Sequence, residues 1–188
     1  LIRGAACVVL VLGSMVARAD EPPAAWQQQV QADIQQSEYH ASIQPYPDRS
    51  AEQHWQAPNR AHGWRVWFLP EGISVVERTN APSSFEWRMA LTSYGREGQP
   101  APVATAELQA SSNRVMYQRG SLTEWYVNGP AGLEQGFDLN AAPEGQGDVL
   151  ELALELPGDV KATVNEQGDG VEFGSPGQTP IINFGKLK

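Results

Sequence analysis

From Gly63 onward, apolar and polar residues alternate along most of this chain, the two-residue period of strands with one buried face. Trp64, Val66 and Phe68 alternate with Arg65, Trp67 and Leu69. Pro70-Glu71-Gly72 predicts a short hairpin connection with glycine last, and Ile73, Val75 and Val76 a return strand. Phe85, Trp87, Met89 and Leu91 predict a third strand, Gly95 to Pro102 a loop, and Val103 to Leu108 a further short strand. The clearest alternation sets Leu150, Leu152, Leu154 and Leu156 against Val149, Glu151, Ala153 and Glu155. Turns at Pro157-Gly158-Asp159 and Asn165 to Gly170 separate two more strands, Val160 to Val164 and Val171 to Phe173, and Pro180 introduces a last one.

Between these lies RVMYQRGSLTEWYVNGPAGLEQGFDL, Arg114 to Leu139, which alternates, breaks at a turn read as Asn128 to Gly132, and alternates again. Adjacent residues of a strand face opposite ways, so Trp125 shares a face with Thr123 and Val127, and Tyr126 shares the other with Leu122 and Glu124. Gly120 stands inside a strand-like run, and Gly136, just before Phe137, marks a place where another group approaches the backbone. Trp125, Tyr126, Asn128, Gly132, Gly136 and Phe137 form the expected structural motif. Strands at this spacing, punctuated by Gly and Pro, predict an all-β fold. The expected form is an antiparallel β-sandwich-like domain of eight or more short strands over residues 63–188.

The chain ahead of Gly63 reads differently. Arg3, the apolar run Ala5 to Val16 and Ala17-Arg18-Ala19 have the layout of a secretory signal peptide, residues 1–19, cleaved after Ala19. The expected location is therefore secreted or cell-envelope. Residues 20–62 are expected to form an N-terminal helix and a connecting segment. Trp26, Val30 and Ile34 recur every four residues among glutamines, predicting an amphipathic helix with a narrow stripe that must dock to be stable. Pro45, Pro47 and Pro58 make residues 43–62 connecting chain, and Gln56 to His62 is dense in groups able to hydrogen-bond a loop backbone.

The chain carries 13 Lys+Arg against 22 Asp+Glu, and removing the leader takes away two arginines and no acid. So acidic a surface repels phosphate backbones, which argues against a nucleic-acid partner. The single cysteine, Cys7, lies in the leader, so stability rests on packing. The leader's apolar run is shorter than the roughly 20 residues of a spanning helix, and no membrane span is expected.

Candidate chemistry is sparse. His40, His54 and His62 lack metal-ligand spacing, and Asn165 to Gly170 matches a calcium loop only at Asp169-Gly170. Glu124 and Glu134 flank the central turn as an acid pair of a glycoside hydrolase would, without specific support. No catalytic, cofactor-binding or metal-ligating residue is assigned. Of the six tryptophans, Trp64, Trp87 and Trp125 read as core. Trp55 and Trp67 are the candidates for exposed, ligand-stacking rings, as in a carbohydrate-binding module.

Two stretches carry a resemblance: QAPNRAHGWRVWFLPEGISVVER, Gln56 to Arg78, and SLTEWYVNGPAGLEQGFDL, Ser121 to Leu139. They resemble the β-rich region that follows the signal peptide in large secreted bacterial proteins continuing into FG-GAP (integrin-alpha-like) repeats. The resemblance spans about residues 36–187. It implies a non-catalytic structural or interaction module ahead of a repeat array, serving adhesion or domain presentation. Its partners would be downstream domains of the same polypeptide, with an extracellular protein or polysaccharide beside them. No FG-GAP repeat is present in this sequence, and the strand-like end at Ile182 to Lys188 reads as that of a fragment.

Overall fold

The alternating runs pair as antiparallel strands. A computed structural model describes residues 23–47, 49–78, 85–158, 160–174 and 182–185; the expected signal peptide and Pro180 lie outside them. Helix α1 (Ala24–Ser37) precedes β1 (Ser42–Tyr46), β2 (Arg49–Asn59), β3 (Trp64–Phe68), β4 (Ile73–Glu77), β5 (Glu86–Arg96) and β6 (Gln99–Pro102). Then follow β7 (Glu107–Ser111), β8 (Arg114–Arg119), β9 (Leu122–Gly129), β10 (Gly132–Leu139) and β11 (Leu150–Glu155). The last are β12 (Lys161–Val164), β13 (Gly170–Gly174) and β14 (Ile182–Gly185).

These strands make three sheets: β1-β2-β3-β4-β5-β11 with β6 also on β5, then β10-β9-β8-β7, then β12-β13-β14. The core lies between the first two. Val66, Phe68, Ile73, Val75, Trp87 and Met89 of the large sheet meet Val115, Tyr117 and Tyr126 of the four-stranded sheet. The small sheet joins through Phe173, whose ring lies 5.2 Å from that of Trp87, and through Ile182. The fold is an all-β, sandwich-like assembly.

Several elements depart from expectation. Residues 43–62 are not connecting chain, because β1 and β2 pair as a hairpin and β2 pairs onward to β3. Pro45 and Pro58 fit because each sits near a strand end, where fewer ladder donors are required. Gly95 to Pro102 is a tight hairpin rather than a loop, since β5 runs to Arg96 and β6 returns along it. The strand expected at residues 103–108 begins only at Glu107. Gly120 belongs to the two-residue turn Gly120-Ser121, where its φ of 72° suits glycine. The leucine strand β11 lies on a sheet edge, and its pairing with β5 shifts between Ala153 and Leu154. Leu154, on that edge, is exposed.

Helix α1 forms where expected, with Pro23 as N-cap accepting from Trp26 and Gln27. Its stripe does not dock: Trp26 is 57% and Ile34 53% exposed, and no helix residue is buried. The chain just beyond its C-terminal end is held by Glu38 to Arg60 at 3.2 Å and by His40 to Ser112 at 2.8 Å.

Candidate functional site

The two resembling stretches meet across the sandwich, and the side chains that join them are polar. Asn59, the last residue of β2, is fully buried and donates to Oδ1 of Asn128 (2.9 Å) and to the Gly129 carbonyl (2.8 Å). Its own Oδ1 accepts from the His62 amide. Asn128 does not belong to the turn; it is an inward-facing residue of β9 with no exposure. Its Nδ2 donates to the carbonyls of Pro58 (2.8 Å) and Tyr39 (3.1 Å), and its own carbonyl accepts from Asn113. The His62 ring stacks on Trp64 and lies 3.1 Å from the Pro130 carbonyl in the true turn, Pro130-Ala131. A buried amide is stable only when its donors and acceptors are matched, and this junction matches them.

A second buried group lies further along β9. Glu124 is 1% and Arg119 5% exposed. Glu124 Oε1 accepts from the Tyr126 hydroxyl (2.6 Å) and from Gln135 Nε2 (2.8 Å), while Oε2 lies 3.6 Å from Arg119 Nη2. Arg119 Nη1 donates to the Ala104 carbonyl. Burial raises the pKa values of Tyr117 and Tyr126 well above the ordinary phenol value, and the Glu124 charge raises them further.

Strand parity also decides the acid pair. Glu124 is opposite Phe137 on the inward face, whereas Glu134 is opposite Val127 on the outward face and is exposed. Two carboxylates on opposite faces of one sheet cannot flank a glycosidic bond, so the arrangement expected of a hydrolase is not assembled from this pair.

The motif aromatics divide as their parity requires. Tyr126 is a core ring, 5.8 Å from both Phe68 and Tyr117. Trp125 lies on the outer face across Gly136, its cross-strand partner, with the Arg114 guanidinium 4.2 Å from the ring centre. A Cβ at Gly136 would stand 2.1 Å from Trp125 Cζ2. Phe137 faces inward and is half-buried, and Gly132 opens β10 with a φ of 126°.

Of the rings proposed for stacking, one is buried and one is half-buried. Trp67 is 5% exposed, covered by the edge-on ring of Tyr46 at 5.1 Å, and Trp55 is half-buried against the core. Sequence alternation put Trp67 on the outer face correctly but could not show that the β1–β2 hairpin folds over it. The three histidines serve separate sites, and among the described residues no three His, Cys, Asp or Glu side chains gather as metal ligands. Asn165 instead bonds within its turn, accepting from the amides of Asp169 and Gly170. No described helix is long and apolar enough to cross a membrane.

Comparison with family models, with curated proteins and with solved structures finds no match to this chain.

Proposed function

We propose that this chain is a non-catalytic structural or interaction module at the N-terminus of a secreted or cell-surface bacterial protein of the FG-GAP type. There it would serve adhesion or the presentation of downstream domains. The observation carrying this reading is how the resembling stretches are used. Gln56 to Arg78 brings Ala57, Val66, Phe68, Ile73 and Val75 to one wall of the core, Ser121 to Leu139 brings Tyr126 to the other, and Asn59 and Asn128 bond across them. Residues Asn59, Glu124, Tyr126 and Asn128 are consumed inside the fold. That is how a scaffold spends its sequence motif.

The coding sequence beyond Lys188 tests the reading. An open frame leading into FG-GAP repeats is expected, together with export of a reporter fused to residues 1–19. A stop codon directly after Lys188, with the chain a stable monomer that is retained in the cytoplasm, would sink it.

A further inference from the structure

The edge strand of a sheet is a template for another strand, and most edges of this fold are guarded against it. Pro45 stands in β1, Pro100 and Pro102 in β6, Glu134 and Asp138 in β10 and Lys161 in β12. Strands β7 and β14 have only five and four residues. The edge strand β11 differs, with six residues, neither proline, glycine nor lysine, and leucine at every second position. Leu154 is 37% exposed and Val149, just ahead of the strand, 54%.

Backbone parity decides which residues can take a partner. Along an antiparallel strand, successive residues turn their amide and carbonyl groups alternately toward and away from the neighbouring strand. The Val149 carbonyl accepts from the Glu97 amide just beyond β5, and the Ala153 carbonyl from the Thr92 hydroxyl. Odd-numbered residues therefore address β5, and Leu150, Leu152 and Leu154 turn their backbone groups to the open side. The irregularity in the pairing leaves this alternation intact, because the extra residue, Thr92, stands on β5.

Two copies meeting antiparallel on this edge must oppose leucine with leucine, and three registers pair at least two of them. Centring on Glu151 sets Glu151 against its own counterpart, and centring on Ala153 sets Glu151 against Glu155. Like charges directly opposite destabilise such a pair. The register centred on Leu152 has no such conflict. It pairs Leu152 with itself and Leu150 with Leu154, each pair exchanging two backbone bonds. Glu151 then stands opposite Ala153, Glu155 opposite Val149, and exposed Leu154 is covered by Leu150 of the second copy. The two acids thus guard two registers and leave the third open. We infer that β11 pairs with β11 of a second copy about Leu152, joining two large sheets into one. The pairing is two-fold symmetric and uses the same edge of both copies, so assembly closes at the dimer. It is independent of the FG-GAP reading.

Sedimentation velocity of the full chain, from about 1 μM to about 1 mM, tests this. Two six-residue strands make a small interface, so a reversible monomer–dimer equilibrium is expected. Leu152→Pro removes an outward donor while sparing the ladder to β5, and should abolish the dimer. Ala153→Lys sets a cation opposite Glu151 of the second copy, twice per dimer. It should tighten association about fivefold, the equivalent of two cross-strand charge pairs. Were the register centred on Ala153, the same change would oppose lysine with lysine and weaken association. Glu134→Gln, on the β10 edge, should leave association unchanged. Near-UV circular dichroism checks that the variants fold, and if Leu152→Pro does not, Ala153→Lys decides. A monomer at every concentration, open-ended polymers, or a dimer that survives in folded Leu152→Pro would overturn the proposal. So would association that Ala153→Lys fails to tighten or that Glu134→Gln alters.

Discussion

Asn59 donates to Asn128 across the sandwich at 2.9 Å, 69 positions apart in the chain and with neither side chain exposed. Replacing Asn128 with Leu keeps the branched shape but strands the Asn128 partners: the part-buried carbonyls of Pro58 and Tyr39 lose their donor, and buried Asn59 Nδ2 loses an acceptor. Each unmet group costs about 1–3 kcal/mol, so Asn128→Leu should lower stability by about 3 kcal/mol or more. Urea unfolding of Asn59→Ala, Asn128→Ala and the double variant should give a coupling of about 1 kcal/mol, and strict additivity would mean the pair does not interact.

Gly136 and Trp125 make the second prediction. Any side chain at Gly136 must displace the indole from its place under Arg114. Gly136→Val should cost about 1–3 kcal/mol and shift the tryptophan emission. Glu134→Ala, two positions away and exposed, should stay within about 0.5 kcal/mol. Equal unfolding midpoints for the two variants would refute this account.

Tyr117 and Tyr126 predict an alkaline limit. Their folded pKa values are raised by burial and by Glu124, while in the unfolded chain a phenol titrates near about 10. The folded state thus keeps protons that the unfolded state loses. This contribution is whole below the unfolded pKa and is lost progressively as pH rises above it. Phenolate absorbance from these two rings should therefore appear only with loss of near-UV circular dichroism. Tyr126→Phe should remove one phenolate from that step and cost about 1.5–3 kcal/mol through the lost bond to Glu124.

Arg119 and Glu124 are coupled in the same way. Arg119→Met leaves a buried carboxylate without its cation and should cost about 3–5 kcal/mol. The double variant Arg119→Met with Glu124→Gln should recover part of that loss. A double variant less stable than Arg119→Met alone would show that the pair is not the relevant unit.

The helix gives the opposite expectation. Trp26→Ala and Ile34→Ala remove exposed side chains and should each change stability by less than about 0.5 kcal/mol in guanidinium unfolding. A large loss from either would mean that the stripe is covered in solution.

Alternation alone determined the all-β class, the β3–β4 hairpin and the opposite facing of Trp125 and Tyr126, because a strand's two-residue period is a local property of the backbone. It also marked Gly136, since a glycine beside packed residues signals a close approach. Pairing decided the rest. Pro45 and Pro58 read as breakers until β1 and β2 proved to be strands, because proline's local penalty says nothing about which ladder donors are needed. Trp67 read as exposed until the overhanging hairpin brought Tyr46 onto it. Asn128 read as a turn residue because asparagine favours turns, and only the arrival of Asn59, Pro58 and Tyr39 at its side chain makes its burial affordable. Periodicity is written residue by residue, whereas burial and hydrogen-bond satisfaction depend on which distant segments meet.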